Sequence, residues 1–199
     1  MFYEPMLGDH GLPHDPFKAI VAPRPIGWIS SLDPEGRANL APYSFFNAIS
    51  SRPHVVMFSS EGRKDSVENI GATGEFVCNL ATWDLREAVN LSSATLPRGM
   101  SEFETTGLGT APSRLVKPPR VADAPAALEC KLLKIDEIFG LDGRSSGAFV
   151  TFGEVVGIHI GDEFIRDGRF DMTKAKTIAR CGYMDYAVVE EVFQMRRPG

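Results

Sequence analysis

At 199 residues with 43% hydrophobic side chains, the chain can bury one substantial core and is too short for two comfortable ones. Its formal net charge of −5 and sequence pI of about 5.4 leave no basic excess to neutralise a run of phosphates, which argues against general nucleic-acid binding. Cys78, Cys130 and Cys181 stand far apart with no C-x-x-C pair, which speaks against a disulfide framework or zinc site and for a reducing, cytoplasmic setting.

Residues 1–23 carry Pro5, Pro13, Pro16 and Pro23, with Pro25 just beyond, and read as an extended leader wrapping an edge. They lack a basic flank followed by an apolar core, and no stretch of the chain approaches the roughly 18 apolar residues of a membrane span. Residues 24–199 are expected to form a single domain. Ile26 to Leu32 reads as a strand, Asp33-Pro34-Glu35-Gly36-Arg37 as a turn, and Asn39 to Ile49 as one returning strand.

Pro53 closes that strand, and His54 to Ser59 has the β-branched run of a strand buried on both faces. Asp65, with Glu68 three residues on, predicts a helix N-cap, and the helix runs from Ser66 to Ala72 before Gly74. Glu75 to Leu80 returns as a strand, and Asp84 with Glu87 repeats the cap signal for a helix reaching Ser93. Thr95 to Pro119, rich in glycine, proline and threonine, reads as a long loop. Ala127 to Ile135 and Ala148 to Ile160 alternate as two long antiparallel strands. No strand-helix-strand rhythm is present, so the expected class is mainly β: a Greek-key barrel with two or three short peripheral helices.

The polar residues fall at the ends of these strands. Arg63-Lys64-Asp65-Ser66 combines two cations, a hydroxyl and free backbone N–H groups at a helix start, the arrangement that binds a terminal phosphate; the same residues also suit a solvated loop and a cap. Ser30, Ser31, Ser50 and Ser51 sit where hydroxyls reach a barrel rim, although serine is ordinary there. With Asn47, whose amide both donates and accepts, they suit the mixed polar edge of a flavin ring. Trp28, Phe45 and Phe46 could flank such a ring, but aromatic residues in strands are usually core.

Other signals are discarded. His10 and His14 have helical metal spacing, yet Pro13 interrupts any helix, so no metal site is expected. Gly107-Leu108-Gly109-Thr110-Ala111-Pro112 has proline where a dinucleotide fingerprint needs its third glycine. Cys181 follows Arg180 but has no assigned base partner, so no nucleophile or other catalytic side chain is named.

From Pro23 to Tyr186 the sequence resembles the flavin reductase-like, FMN-binding split-barrel proteins. The resemblance is carried jointly by Arg24-Pro25-Ile26-Gly27-Trp28-Ile29-Ser30, Asn39-Leu40-Ala41-Pro42-Tyr43-Ser44-Phe45-Phe46-Asn47-Ala48, Gly74-Glu75-Phe76-Val77-Cys78-Asn79 and Gly153-Glu154-Val155-Val156. It implies a split barrel, and a homodimer holding FMN near the subunit interface, with hydride passing from NADH or NADPH to the flavin and reduced flavin supplied to a monooxygenase. It further implies that Ser30, Ser31, Phe46, Asn47 and Ala48 contact the ring, and that Ser50, Ser51, Arg63, Lys64 and Ser66 hold the ribityl chain and phosphate. Arg180 and Tyr183 would reach the flavin across the dimer. The short histidine motif that some members place against the nicotinamide is missing, so two alternatives stay open: an electron carrier with tightly bound FMN, served by a redox-protein partner, and a flavin-binding module without turnover.

Overall fold

Between the first two long strands the chain reverses as its proline and glycine require. Gly36 takes φ +84°, the Asp33 N–H donates to the Arg37 carbonyl at 3.1 Å, and the Asp33 carboxylate accepts from the Arg37 N–H at 2.8 Å. The computed structural model describes residues 1–97 and 99–198. Its elements are α1 (Phe17–Ile20), β1 (Arg24–Pro25), β2 (Gly27–Leu32), β3 (Ala38–Tyr43), β4 (Phe46–Ser51), β5 (His54–Glu61), α2 (Asp65–Thr73), β6 (Glu75–Leu80), α3 (Arg86–Leu91) and α4 (Glu102–Thr106). Then follow β7 (Thr110–Ala111), β8 (Arg120–Val121), β9 (Ala126–Phe139), β10 (Ser145–Ile160), a 3-10 turn at Asp162–Phe164, β11 (Ile165–Arg166), β12 (Arg169–Phe170), α5 (Met172–Ala175), β13 (Ile178–Gly182) and β14 (Asp185–Val188).

Seven strands form the main antiparallel sheet in the order β3-β2-β6-β9-β10-β5-β4, and β1, β13 and β14 form a smaller one. The architecture is the expected mainly β split barrel. Every residue of β2 from Gly27 to Ser31 is buried because the strand has packing on both faces. Ile29 joins Tyr43, Phe58, Phe76 and Cys130 in one core, while Trp28 joins Leu40, Val89, Phe103 and Val121 in another.

Several expectations need correction. Asn39 to Ile49 is not one strand: it breaks at Ser44 and Phe45, and its halves lie on opposite edges of the sheet. Aromatic packing explains the corner. Tyr43 before it stacks on Phe58 at 4.6 Å between centroids, and Phe46 after it packs on Gly27, where an added Cβ would lie 2.5 Å from Phe46 Cδ2. At the corner, Lys18 and Arg24 each place their charge 5.7 Å from the centre of the Phe45 ring.

Asp65 is the first helical residue rather than the cap. Lys64 occupies the cap position with extended backbone, and Glu68 pairs with Arg63 Nε at 3.0 Å instead of closing a capping box. Gly74 ends the helix in the left-handed conformation, as a terminal glycine should. α3 likewise starts at Arg86, capped by Leu85 instead of Asp84.

The 95–119 region, of which Arg98 lies outside the described residues, holds α4, closed by Gly107 at φ +69°. The spacing Ser101-x-x-Glu104 before that glycine was the available signal. Among the described residues there are thus five short α-helices and one 3-10 turn, more than the two or three expected. No helix there is long and apolar enough to cross a membrane.

Candidate functional site

β5 delivers the chain to α2 through a tight turn in which Ser60 Oγ donates to the Gly62 carbonyl at 2.8 Å and Gly62 takes φ +88°. The cap residue Lys64 offers no side-chain acceptor, so the first-turn N–H groups of this nine-residue helix are not covered by a capping side chain. A cleft of about 500 Å³ opens beside that terminus. Its walls are Asn39, Ala41, Pro42 and Tyr43 of β3, Lys64, Asp65 and Ser66 of α2, the segment 92–96 beyond α3, and Glu102 of α4.

The polar walls are fixed by buried hydrogen bonds. Asn39 Nδ2 donates to Ser66 Oγ at 2.9 Å, and Trp28 Nε1 donates to Ser92 Oγ at 2.9 Å. Glu102 accepts from the Leu40 N–H at 2.8 Å, which satisfies a donor on the outer edge of β3 and covers that edge. Burial pushes the Glu102 carboxyl above its ordinary value and the neighbouring Asp65 charge adds to the effect, while the Leu40 N–H opposes it. Burial also raises the Tyr43 phenol, partly offset by hydrogen bonds with Ser66 and Ser60.

A raised carboxyl weakens the fold as pH climbs from the ordinary value of 4.5 through the raised one, because the native state then gives up a proton it holds more tightly than the unfolded chain. Glu102→Gln keeps an acceptor for Leu40 and removes the charge. Its melting temperature at neutral pH should equal or exceed that of the parent, with the advantage vanishing in acid; melts recorded across the acidic-to-neutral range check this, and a deficit at neutral pH would show that the charge itself holds the edge.

Of the residues named from sequence, Lys64 and Ser66 line the cleft. Ser30 and Ser31 do not: both are fully buried, Ser30 Oγ donating to the Pro119 carbonyl at 2.6 Å and Ser31 Oγ accepting from Asn69 Nδ2 at 3.3 Å. Their place on β2, paired on both sides by β3 and β6 and packed on both faces, is the reason. Arg63 turns away to Glu68 and lies 5.2 Å from the Phe149 ring centre. Phe46 packs on Gly27, while Asn47, Ala48, Ser50 and Ser51 lie exposed along β4 at the opposite sheet edge. Arg180 donates to the Tyr183 carbonyl and stacks 4.5 Å over Tyr186, with Tyr183 at the turn between β13 and β14.

Sequence reasoning missed Tyr43, Ser92, Ser93, Thr95 and Glu102 as cleft residues. Tyr43 and Ser92 carried no signal beyond their strand and helix-end positions, and Glu102 was hidden because its helix was read as loop.

Residues 21–172 match the flavin reductase like domain. The chain belongs to the flavin reductase-like family. An uncharacterized protein of Deinococcus radiodurans is 36% identical over 208 aligned residues, covering 91% of this chain and 88% of that one. Nitrilotriacetate monooxygenase component B from Bacillus cereus superposes with a TM-score of 0.87 at 28% identity, covering 98% of each chain. A split-barrel protein from Shewanella frigidimarina shares the fold at a TM-score of 0.82 and 21% identity, covering 92% of this chain and 90% of that one.

The flavin that this family implies fits the residues present. The cleft has the size of a ligand site, and its end at Lys64 joins a cation to uncovered helix N–H groups, with Ser66, Ser93 and Thr95 contributing hydroxyls. Asp65 and Glu102 oppose an anion there, so Lys64 and the helix N–H groups must outweigh them.

Proposed function

We propose that this flavin reductase-like chain binds FMN in the cleft at the start of α2 and uses NADH or NADPH to reduce it, supplying reduced flavin to a monooxygenase. The observation that carries this reading is the uncapped α2 terminus with Lys64 beside a cleft of about 500 Å³. FMN, when bound, supplies the redox chemistry by accepting hydride from the nicotinamide. The chain's part is to bind and orient: Lys64, Ser66 and the first-turn N–H groups hold the phosphate, and the β3 wall from Ala41 to Tyr43 gives the ring a surface. The likeness to a monooxygenase component from Bacillus cereus supports the partner.

The test is an absorbance spectrum after loading with FMN and desalting, followed by anaerobic NADH and NADPH. Retained flavin that bleaches supports the reductase; a flavin that neither nucleotide reduces rejects it. Lys64→Ala should weaken FMN binding by about 1–3 kcal/mol, the worth of a charge-assisted hydrogen bond, as read by fluorescence titration. Unchanged affinity would remove Lys64 from the phosphate site.

A second reading, an electron carrier with tightly held FMN, is favoured by the histidines: none lines the cleft among the described residues, and His159 lies against Glu129. It requires reduction by dithionite or a redox protein where nicotinamides fail.

The exposed and uncharged β4 edge, Asn47 to Ser51, supports a homodimer, because an open edge of this kind invites another strand or surface to cover it. Sedimentation velocity on the purified chain checks it, and a monomer at micromolar concentration would count against it. The free thiols of Cys78, Cys130 and Cys181 support a cytoplasmic setting.

A further inference from the structure

A second cavity, of about 260 Å³, has Trp83 and Tyr186 as walls, Ile178 and Val188 as floor, and Arg86, Glu87 and Asn90 of α3 at the rim. Asn90 of α3 faces this cavity while Ser92, just past the helix, faces the flavin cleft, so the two are neighbours without sharing a lining residue.

The walls are held in place. Trp83 N–H donates to the Lys176 carbonyl at 2.9 Å, Ile178 N–H donates to the Ala81 carbonyl at 3.1 Å, and Thr82 bridges Thr177. Each wall ring carries a stacked arginine, Arg86 at 4.1 Å from the Trp83 centre and Arg180 at 4.5 Å from that of Tyr186. Even so, Trp83 remains 43% exposed and Tyr186 44% exposed, above a floor in which Ile178 is buried.

We propose that this cavity is a binding site for a small planar aromatic carboxylate, separate from the flavin cleft. The volume is below that of a typical drug-sized site and admits one ring system, so neither FMN nor a dinucleotide fits within it. The parts of the two aromatic rings left exposed beside their stacked arginines, over an aliphatic floor, favour a flat apolar ring. The donors Arg86 and Asn90 at the rim select an acceptor, and the guanidinium selects a charged one.

Arg86 Nη1 is anchored on the Trp83 carbonyl at 2.8 Å, which fixes the guanidinium over the ring. Glu87 approaches Arg86 Nε at 3.5 Å, but its side chain is 77% exposed and its charge is largely screened by solvent, leaving the guanidinium open to a second anion.

The chain's two tryptophans allow a direct test, because their indole N–H resonances report on different cavities. Trp28 Nε1 donates to Ser92 of the flavin cleft, and Trp83 walls the second cavity. Benzoate, added to the full chain at millimolar concentrations with or without FMN, should shift the Trp83 resonance saturably and leave that of Trp28 in place. Benzamide, without the charge, and cyclohexanecarboxylate, without the plane, should bind about tenfold more weakly or worse, a difference the loss of one charge-assisted or stacking contact accounts for.

Arg86→Gln should weaken benzoate about tenfold and leave benzamide unaffected. Trp83→Leu should raise the benzoate dissociation constant by at least about tenfold, read by ligand-observed NMR, with the Trp28 resonance certifying that the variant folds. An unmoved Trp83 resonance overturns the proposal. So does an equal shift at Trp28, which would place benzoate in the flavin cleft, or a Trp83 shift that follows protein concentration instead of benzoate, which would assign the cavity to a second copy. FMN acting on Trp28 reports separately on the flavin site, so either assignment can fail without the other.

Discussion

Glu129→Ala should cost about 3–5 kcal/mol of stability, the range found when one member of a buried charged arrangement is removed. The Glu129 side chain is fully buried and accepts from the backbone N–H groups of Arg114 at 2.7 Å, Leu115 at 2.6 Å and Val116 at 3.1 Å, while His159 Nε2 lies against the oxygen that also accepts from Arg114. Alanine leaves all of these without their partner, in a domain whose whole stability is of the order of 5–15 kcal/mol. Urea unfolding at neutral pH measures the loss; a change under about 1 kcal/mol would mean that water replaces the carboxylate at little cost.

The same residue fixes an acid limb. Burial pushes the Glu129 carboxyl up, but His159 and the N–H groups of Arg114 and Leu115 outweigh it and hold the carboxyl below its ordinary 4.5. A carboxyl lowered by folding stabilises fully above its ordinary value, and the contribution is lost as pH falls through the lowered one. Glu129→Gln should therefore be less stable than the parent at neutral pH and should lose less on acidification below about 4.5, where unchanged steepness would assign the acid limb to other groups.

Gly153→Ala is expected to destabilise by about 1–3 kcal/mol or more through overpacking. A Cβ there would lie inside contact distance of Phe76 Cζ, 2.5 Å from Phe76 Cε1 and 3.2 Å from Cys130 Cβ. The Phe76 ring cannot give way easily: it is fully buried and stands edge-on to Phe58 at 5.9 Å between centroids. Phe76→Ala alone should cost about 3–5 kcal/mol by leaving a cavity. In that background the added methyl group of Gly153→Ala meets empty space, so the double variant should be more stable than the sum of the singles predicts, by about 0.5–3 kcal/mol. Additivity in a denaturant cycle would show that the ring and the glycine do not share the space.

Where local chemistry decides, the sequence was readable. Asp33 to Arg37 formed the turn that Pro34 and Gly36 specify, Glu75 to Leu80 formed the strand its pattern required, and Gly74 stopped α2. Where distant packing decides, it was not. Nothing in Asn39 to Ile49 announces that Tyr43 and Phe46 are drawn into the barrel from opposite edges, because Gly27 and Phe58, which receive them, lie elsewhere in the chain.

The site followed the same division. Lys64 and Ser66, on a helix start that spacing reveals, line the cleft; Ser30 and Ser31 are buried because β2 is paired on both sides, by β3 and β6, an order invisible in one sequence. Glu102 entered from a helix whose signal lay inside a region that composition marked as loop.

Two residues, Ser44 and Phe45, connect the opposite edges of the seven-stranded sheet, and the flanking hairpins β2–β3 and β4–β5 are joined into one sheet only when the strands between them assemble. Those strands pair over long stretches of chain: β2 with β6, β6 with β9, and β5 with β10. Each pairing closes a large loop before its contacts are gained, which places the chain among proteins that fold in milliseconds to seconds rather than microseconds. The β9–β10 hairpin is the long pairing that forms locally, and it is made from residues 126–160. On the ribosome β2 to β5 therefore emerge before β9 and β10 and wait, with open strand edges, until residues near 160 leave the exit tunnel, so the unfinished barrel is exposed to aggregation until then.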